Sequence, residues 1–266
     1  MSFLAGLDPF SVAWLGAAAL VAGFLDAMVG GGSLVMLPAL DEALPAATPV
    51  PSLLGTNKFV DLSGNLAAIR TYIRGGSLRI RDAGWFALAG ALGGLGGALF
   101  SFRISSGILP WLLLGILPPI LLMTLVQARR RPSPGAPSGI ATTPPRADLK
   151  SLGVALALGV YDGFLGAGTG ALLVFSLVQV GRHDHLQAVA AAKAIHGGAN
   201  LAALVFFIAL GRWIPSLAIL LAVANICGSL VGARLALKIG TAWVRLIFIL
   251  TVGGLILRLG FGLLGR

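Results

Sequence analysis

Long apolar runs separated by short polar stretches set the pattern of this chain from end to end. The runs recur at about 18–25 residues, each long enough as helix to cross a hydrocarbon core of ~30 Å. They predict membrane elements at about 10–44, 52–74, 83–103 and 107–127 in one half. The other half predicts elements at about 151–180, 187–210, 213–238 and 242–264. The first element of each half is interrupted by glycines, and the other three read as ordinary spans. The predicted fold class is therefore an all-α polytopic membrane protein of about eight membrane segments.

Composition agrees. The chain is 57% hydrophobic and 11% charged over 266 residues, with a mean hydropathy of +0.96. A soluble domain carries roughly twice that charged fraction. The net charge of +10 does not indicate nucleic acid, because Lys and Arg sit in short connections and do not interleave with aromatics on one face. The single cysteine, Cys227, excludes an internal disulfide and a cysteine-based metal cluster. No basic stretch precedes the first apolar run, which reads as a mature membrane segment rather than a secretory signal.

One stretch departs from the pattern. "QARRRPSPGAPSGIATTPPRADLK" (127–150) is rich in Pro, Ser, Gly and Arg and reads as a flexible loop. Its basic residues Arg129, Arg130, Arg131, Arg146 and Lys150 place it on the cytoplasmic side. The expected organisation is a first transmembrane repeat at 1–127, a basic loop at 128–150 and a second repeat at 151–266.

The halves match each other. "GFLDAMVGGGS" aligns with "GVYDGFLGAGT", placing Gly23, Asp26, Gly30, Gly32 and Ser33 on Gly159, Asp162, Gly166, Gly168 and Thr169. "KFVDLSGNLAA" aligns with "KAIHGGANLAA", placing Lys58 on Lys193 and Asn65 on Asn200. "GGLGGAL" aligns with "GSLVGAR", and Gly93/Gly97 and Gly228/Gly232 have the GxxxG spacing that lets helices approach closely in lipid. Internal duplication is a hallmark of secondary transporters. If each interrupted element crosses once, the repeats are parallel; if it turns back at its glycines, they are inverted. Lys and Arg balance equally for both orientations. Length favours inversion, because arms of about 13–15 residues in the second element reach only the midplane.

Buried charge is the informative chemistry in such a chain. Asp26 and Asp162 flank the glycine breaks, and Lys58 and Lys193 open the next spans. The plain alternative is that each aspartate caps a half-helix and each lysine snorkels to the interface. Repetition at matched positions favours a shared site. Lys58 and Asn65 lie about two turns apart on one helix face, as do Lys193 and Asn200. Asp61 and His196 lie near the same faces. Such faces line a cavity or pair across helices, and Asn65 and Asn200 could equally be interhelical glue. Gly31, Gly32, Ser33 and Gly168, Thr169 permit unwound backbone at membrane depth, with Ser33 or Thr169 capping the half-helix that follows. A half-helix N-terminus with a lysine nearby describes an anion site. Asp26, Asp162 and Asp61 are candidates for carrying a coupled proton. No metal or nucleophile–base signature accompanies them, and the GAGTG run lacks the GK[ST] ending of a P-loop. Neither an enzyme nor a cofactor is expected.

At these motifs, together with "LGTNKF", "AAAKAIHGGANLAAL" and "GSLVGARLALKIG", the chain resembles the sulfite exporter TauE/SafE family. The resemblance covers nearly the whole chain outside the central loop. It implies a bacterial inner-membrane transporter of small sulfur-containing anions: sulfite, sulfoacetate and related organosulfonates. Two features depart from the pattern. Three glycines precede Ser33 where the family commonly has a longer run, and Ala191-Ala192 precede Lys193 where Thr56-Asn57 precede Lys58. The resulting expectation is a secondary transporter, directed outward, with a substrate site from Gly31, Gly32, Ser33, Asn57, Lys58, Asn65, Gly168, Thr169, Lys193, His196 and Asn200. The expected partners are a small anion and the lipid bilayer, with a homodimer left open. The alternatives are a carrier of a carboxylate or other small solute, and a non-transporting membrane scaffold.

Overall fold

The computed structural model describes residues 8–104, 107–129, 144–183, 185–239 and 253–254. Its elements are helices: α1 (Pro9–Val29), α2 (Gly32–Ala43), α3 (Val50–Arg74), α4 (Ile80–Ser101), α5 (Leu109–Arg129), α6 (Leu149–Phe164), α7 (Thr169–Gln179), α8 (His185–Ala209) and α9 (Pro215–Ile239). No strand occurs among the described residues. The span expected at 242–264 lies outside them apart from 253–254, as do the loop residues 130–143. The loop's described end, 144–148, has no regular secondary structure, and α6 begins at Leu149, inside the range expected to be loop.

Local chemistry sets the helix ends. Asp8 caps α1 through the Ser11 N–H at 2.8 Å, with Pro9 at the first helical position. Asp148 caps α6 through the Ser151 N–H at 3.0 Å. Gly30 stops α1 at φ 79°, a left-handed conformation open to glycine. Gly166 and Gly168, at φ 81° and 75°, make the break between α6 and α7.

At both breaks the chain turns back. Gly32 lies against the backbone of Ala22 and the side chain of Asp26, so α2 folds onto the helix it follows. In the second half, the Ser151 hydroxyl at the start of α6 lies 2.9 Å from His183 Nε2, just beyond α7. The Tyr161 hydroxyl pins that turn by donating to the Ala167 carbonyl at 2.7 Å. The hairpin arms are unequal. α6 and α7 have 16 and 11 residues in place of the expected 13–15, because the glycine break falls past the middle. α1 has 21 residues, or about 31 Å of helix, enough to cross a bilayer.

The two hairpin tips meet backbone to backbone at Gly30 and Gly170, where neither residue has room for a Cβ. α3 and α8 pass beside the tips and contact each other. The halves interlock further out: α4 packs on α6 and α8, while α9 packs on α1 and α3. Glycines make these contacts close. Gly93 and Gly97 of α4 face the backbone of α6, and Gly228 and Gly232 of α9 face that of α1. Asn225 and Ser229 of α9 donate to the Ala19 and Gly23 carbonyls of α1, a polar seam that the sequence reading did not single out.

Large apolar side chains cover the outside. On α4, Leu88, Leu92, Leu95 and Leu99 are exposed and fall on one helical stripe. A stripe of this size exposed to water would be a liability, whereas lipid accommodates it. Among the described residues, four helices are long and apolar enough to cross a membrane: α1, α4, α8 and α9. α3 is as long as α8 but carries Lys58 and Asp61 within it.

Neighbouring glycines on α4 should behave oppositely. A Cβ on Gly97 meets α6 backbone, whereas Gly96 has nothing within 4 Å. Gly97→Leu is expected to cost about 1–3 kcal/mol or more through overpacking, and Gly96→Leu close to nothing. Thermal unfolding of the purified variants in detergent checks this.

Candidate functional site

Eleven buried polar and charged residues gather where the tips meet α3 and α8. Asp26 and Asp162 occupy the last turns of α1 and α6. Lys58, Asp61, Asn57 and Asn65 come from α3; Lys193, His196 and Asn200 come from α8; Ser33 and Thr169 lie in the first turns of α2 and α7. Thr56 of α3 is buried as well, but it serves structure: its hydroxyl donates to the Ser52 carbonyl and accepts from the Ile214 N–H.

The lysines do not snorkel. Lys58 is 1% exposed and Lys193 0%. Each pairs with the aspartate of the opposite half. Lys58 Nζ lies 3.0 Å from Asp162 Oδ1 and also donates to the Asp162 carbonyl at 2.5 Å. Lys193 Nζ lies 2.8 Å from Asp26 Oδ2. His196 stands between the two carboxylates, with Nδ1 3.7 Å from Asp26 and Nε2 3.2 Å from Asp162. One chain of ionisable groups therefore runs Lys58, Asp162, His196, Asp26, Lys193, with members from α3, α6, α8 and α1. Charges at such depth need partners of this kind, since an unpaired one is very costly.

A second group adjoins it. Ser33 Oγ donates to Asp61 Oδ2 at 2.5 Å, and Asn57 Nδ2 donates to the same oxygen at 3.0 Å. Ser33 does not cap α2, contrary to expectation, because the helix already begins at Gly32 and Ser33 lies inside its first turn. Thr169 does not cap α7 either. The N-cap positions fall on Gly31 and Gly168, and neither short helix has a side-chain cap. The Gly32 N–H is 3.5 Å from Asp26 Oδ1, so that aspartate does face the start of α2.

The asparagines do not act as glue between helices. Asn65 Nδ2 donates to the Asp61 carbonyl of its own helix at 2.9 Å. Asn65 Oδ1, both amide atoms of Asn200 and the Thr169 hydroxyl are buried without hydrogen-bond partners. Buried polar atoms are nearly always satisfied, so these donors and acceptors stand out from the rest of the interior. The sequence reading also missed Tyr72, whose buried hydroxyl donates to the Ala27 carbonyl at 2.8 Å and braces the first tip. Its sequence signal was slight, since Tyr72 stands among Arg70, Thr71 and Arg74 at the end of α3. Among the described residues, no group of His, Cys, Asp and Glu could hold a metal ion.

A separate cavity of about 400 Å³ opens at the base of the second hairpin, lined by Arg79, Arg146, Asp148, His183 and Gln187 among others. It lies about 21 Å along α6 from Asp162. Partial burial pushes the Asp148 pKa up, but hydrogen bonds from Ser151 and the nearby His183 outweigh this and hold it below the usual carboxylate value. Its negative charge offsets part of the arginine charge at that mouth.

Residues 15–259 match the family described as Sulfite exporter TauE/SafE. The chain is 29% identical over 248 residues to a protein of Sinorhizobium sp described as "Probable membrane transporter protein ORF9", covering 93% of this chain and 92% of that one. It is 29% identical over 231 residues to a "Probable membrane transporter protein" of Haemophilus influenzae, covering 85% of each. It is 28% identical over 233 residues to "Probable membrane transporter protein YfcA" of Escherichia coli K12, covering 85% of this chain and 81% of the relative. No solved structure matches significantly.

Removing one partner of a buried pair should cost more than removing both. Lys58→Met leaves the Asp162 carboxylate without its ammonium partner and is expected to destabilise by about 3–5 kcal/mol. Lys58→Met with Asp162→Asn should recover a large part of that loss. Denaturant unfolding of the two variants in micelles measures the difference.

Proposed function

Because this chain belongs to the sulfite exporter TauE/SafE family and is a multi-pass membrane transporter, we propose that its cargo is a small anion such as sulfite or an organosulfonate. The cargo would be bound where the two hairpin tips meet, in a site held at the bilayer midplane by two inverted four-element repeats. The family is described as a sulfite exporter, and the cargo would accordingly move outward across a bacterial inner membrane.

The crossed lysine pairs carry this reading. Two ammonium groups are kept buried beside the uncapped N-termini of α2 and α7. A helix N-terminus and a lysine both favour negative charge. An anion that displaces Asp162 from Lys58, or Asp26 from Lys193, inherits a ready donor. The unmet Thr169 hydroxyl and Asn200 amide supply hydrogen bonds to its oxygens. Arg79, Arg146 and His183 give the cavity at the base of the second hairpin a basic mouth on the cytoplasmic side. Every ion pair of the central chain joins α3 or α8 to a hairpin tip. A shift of the tips therefore exchanges partners without stranding a charge, which suits alternating access. A carboxylate has the same charge and similar oxygens, so a substrate panel separates it from a sulfonate.

Proteoliposomes containing the full chain are expected to accumulate labelled sulfite or sulfoacetate above protein-free vesicles. Lys58→Ala and Lys193→Ala should each lower the apparent affinity by roughly tenfold or more, the scale of a lost hydrogen bond to a charged group. Absence of transport for every small anion tested would instead favour the scaffold alternative.

A further inference from the structure

We infer that Asp61 is the proton carrier of the central site and that each anion crosses with one proton bound there; this deepens, and rests on, the anion-transport reading. Pairing singles Asp61 out. Lys58 is taken by Asp162 at 3.0 Å and Lys193 by Asp26 at 2.8 Å, and His196 bridges those two aspartates. Asp61 is 1% exposed and forms no ion pair among the described residues. The cluster thus holds three carboxylates against two ammonium groups, with His196 as the remaining titratable member.

The two oxygens of Asp61 are not equivalent. Oδ2 accepts from the Ser33 hydroxyl at 2.5 Å and from Asn57 Nδ2 at 3.0 Å. Both partners are donors, so Oδ2 is fixed as an acceptor. Oδ1 is buried with no partner and is the atom left to take a proton. The clamp orients the carboxyl so that a proton on Oδ1 points away from Ser33 and Asn57. The groups facing Asp61 are Lys58 and Asn57 of its own helix, Ser33 of α2, Asp26 of α1 and His196 of α8.

Charge balance then couples proton to substrate. With Asp61 ionised, an entering anion meets an excess negative charge. One proton from water on the open side, added to Oδ1, cancels that excess, leaving two carboxylates against two ammonium groups when the anion arrives. On the other side the anion leaves, and the proton returns from Oδ1 to water. No other bond forms or breaks. The stoichiometry is one because the clamp exists in one half only. The second half has His196 where the first has Asp61, Ala192 where it has Asn57, and an unpartnered Thr169 hydroxyl where it has Ser33.

The test compares wild type with Asp61→Asn in proteoliposomes, using sulfite and sulfoacetate and a trapped pH dye. Taking the difference between the two proteins cancels protons exchanged by the anion itself. Wild type should move one proton more per anion than Asp61→Asn. Its apparent affinity should tighten as pH falls, by up to tenfold per unit, while that of Asp61→Asn stays flat. Asp61→Glu should restore the slope. Equal proton counts, or identical pH profiles, overturn the proposal. If Asp61→Asn does not fold, Ser33→Ala decides. Loss of a donor to the ionised form should move the wild-type profile to higher pH, and an unmoved profile overturns the proposal. Absence of wild-type transport for both anions removes the transport reading and this proposal with it, a result distinct from transport without the extra proton.

Discussion

Two ammonium groups buried at 0–1% exposure are the constraint around which this structure is arranged. Each needs a carboxylate within ion-pair distance, and in each case that carboxylate comes from the other half of the chain. The tips that carry the aspartates must therefore lie side by side. That is possible because Gly30 and Gly170 leave no side chain between the two backbones. Gly166 is constrained from both sides: its φ of 81° suits glycine, and a Cβ there would press on Lys58 Nζ and Asp162 Oδ1. The glycines of α4 and α9 extend the same logic outward, drawing the opposite half's hairpin close to each.

The molecule has an apolar interior around a cluster of charged and amide side chains, and unlike a protein in water it also turns leucines and valines such as Leu92, Leu99, Val223 and Val231 outward. In lipid, apolar burial does not drive helices together, so close backbone contact and hydrogen bonding take its place. This explains why the polar seam of Asn225 and Ser229 lies between α9 and α1, and why glycine recurs at nearly every helix crossing.

Much of this was legible beforehand. Apolar run length located every described helix to within a few residues, because a bilayer fixes how long a span must be. The glycine breaks and the lysine positions were visible because charge and glycine are rare and costly in such runs. What could not be read was partnership. Alignment of the halves puts Asp26 on Asp162 and Lys58 on Lys193, but it does not say that Lys58 turns to Asp162 rather than Asp26. Pairing depends on how the tips cross, which is a long-range packing result. The capping roles expected of Ser33 and Thr169 fall instead to Gly31 and Gly168, because each short helix begins directly after its glycine. The Ser33 hydroxyl goes to the carboxylate of Asp61, 28 residues on, a contact local rules do not reach.

The crossed pairs have the form of an isologous interface, in which a residue i of one copy meets j of the other and j meets i. Two separate half-length chains would make the same pairs as a two-fold dimer, but they would be bound by that symmetry. Whatever residue stood at position 61 would have to stand at its mate as well. Joining both halves in one chain lifts that restriction. An acid can then occupy one position and an imidazole the other, as Asp61 and His196 do, and each side of the centre can be altered without changing its twin.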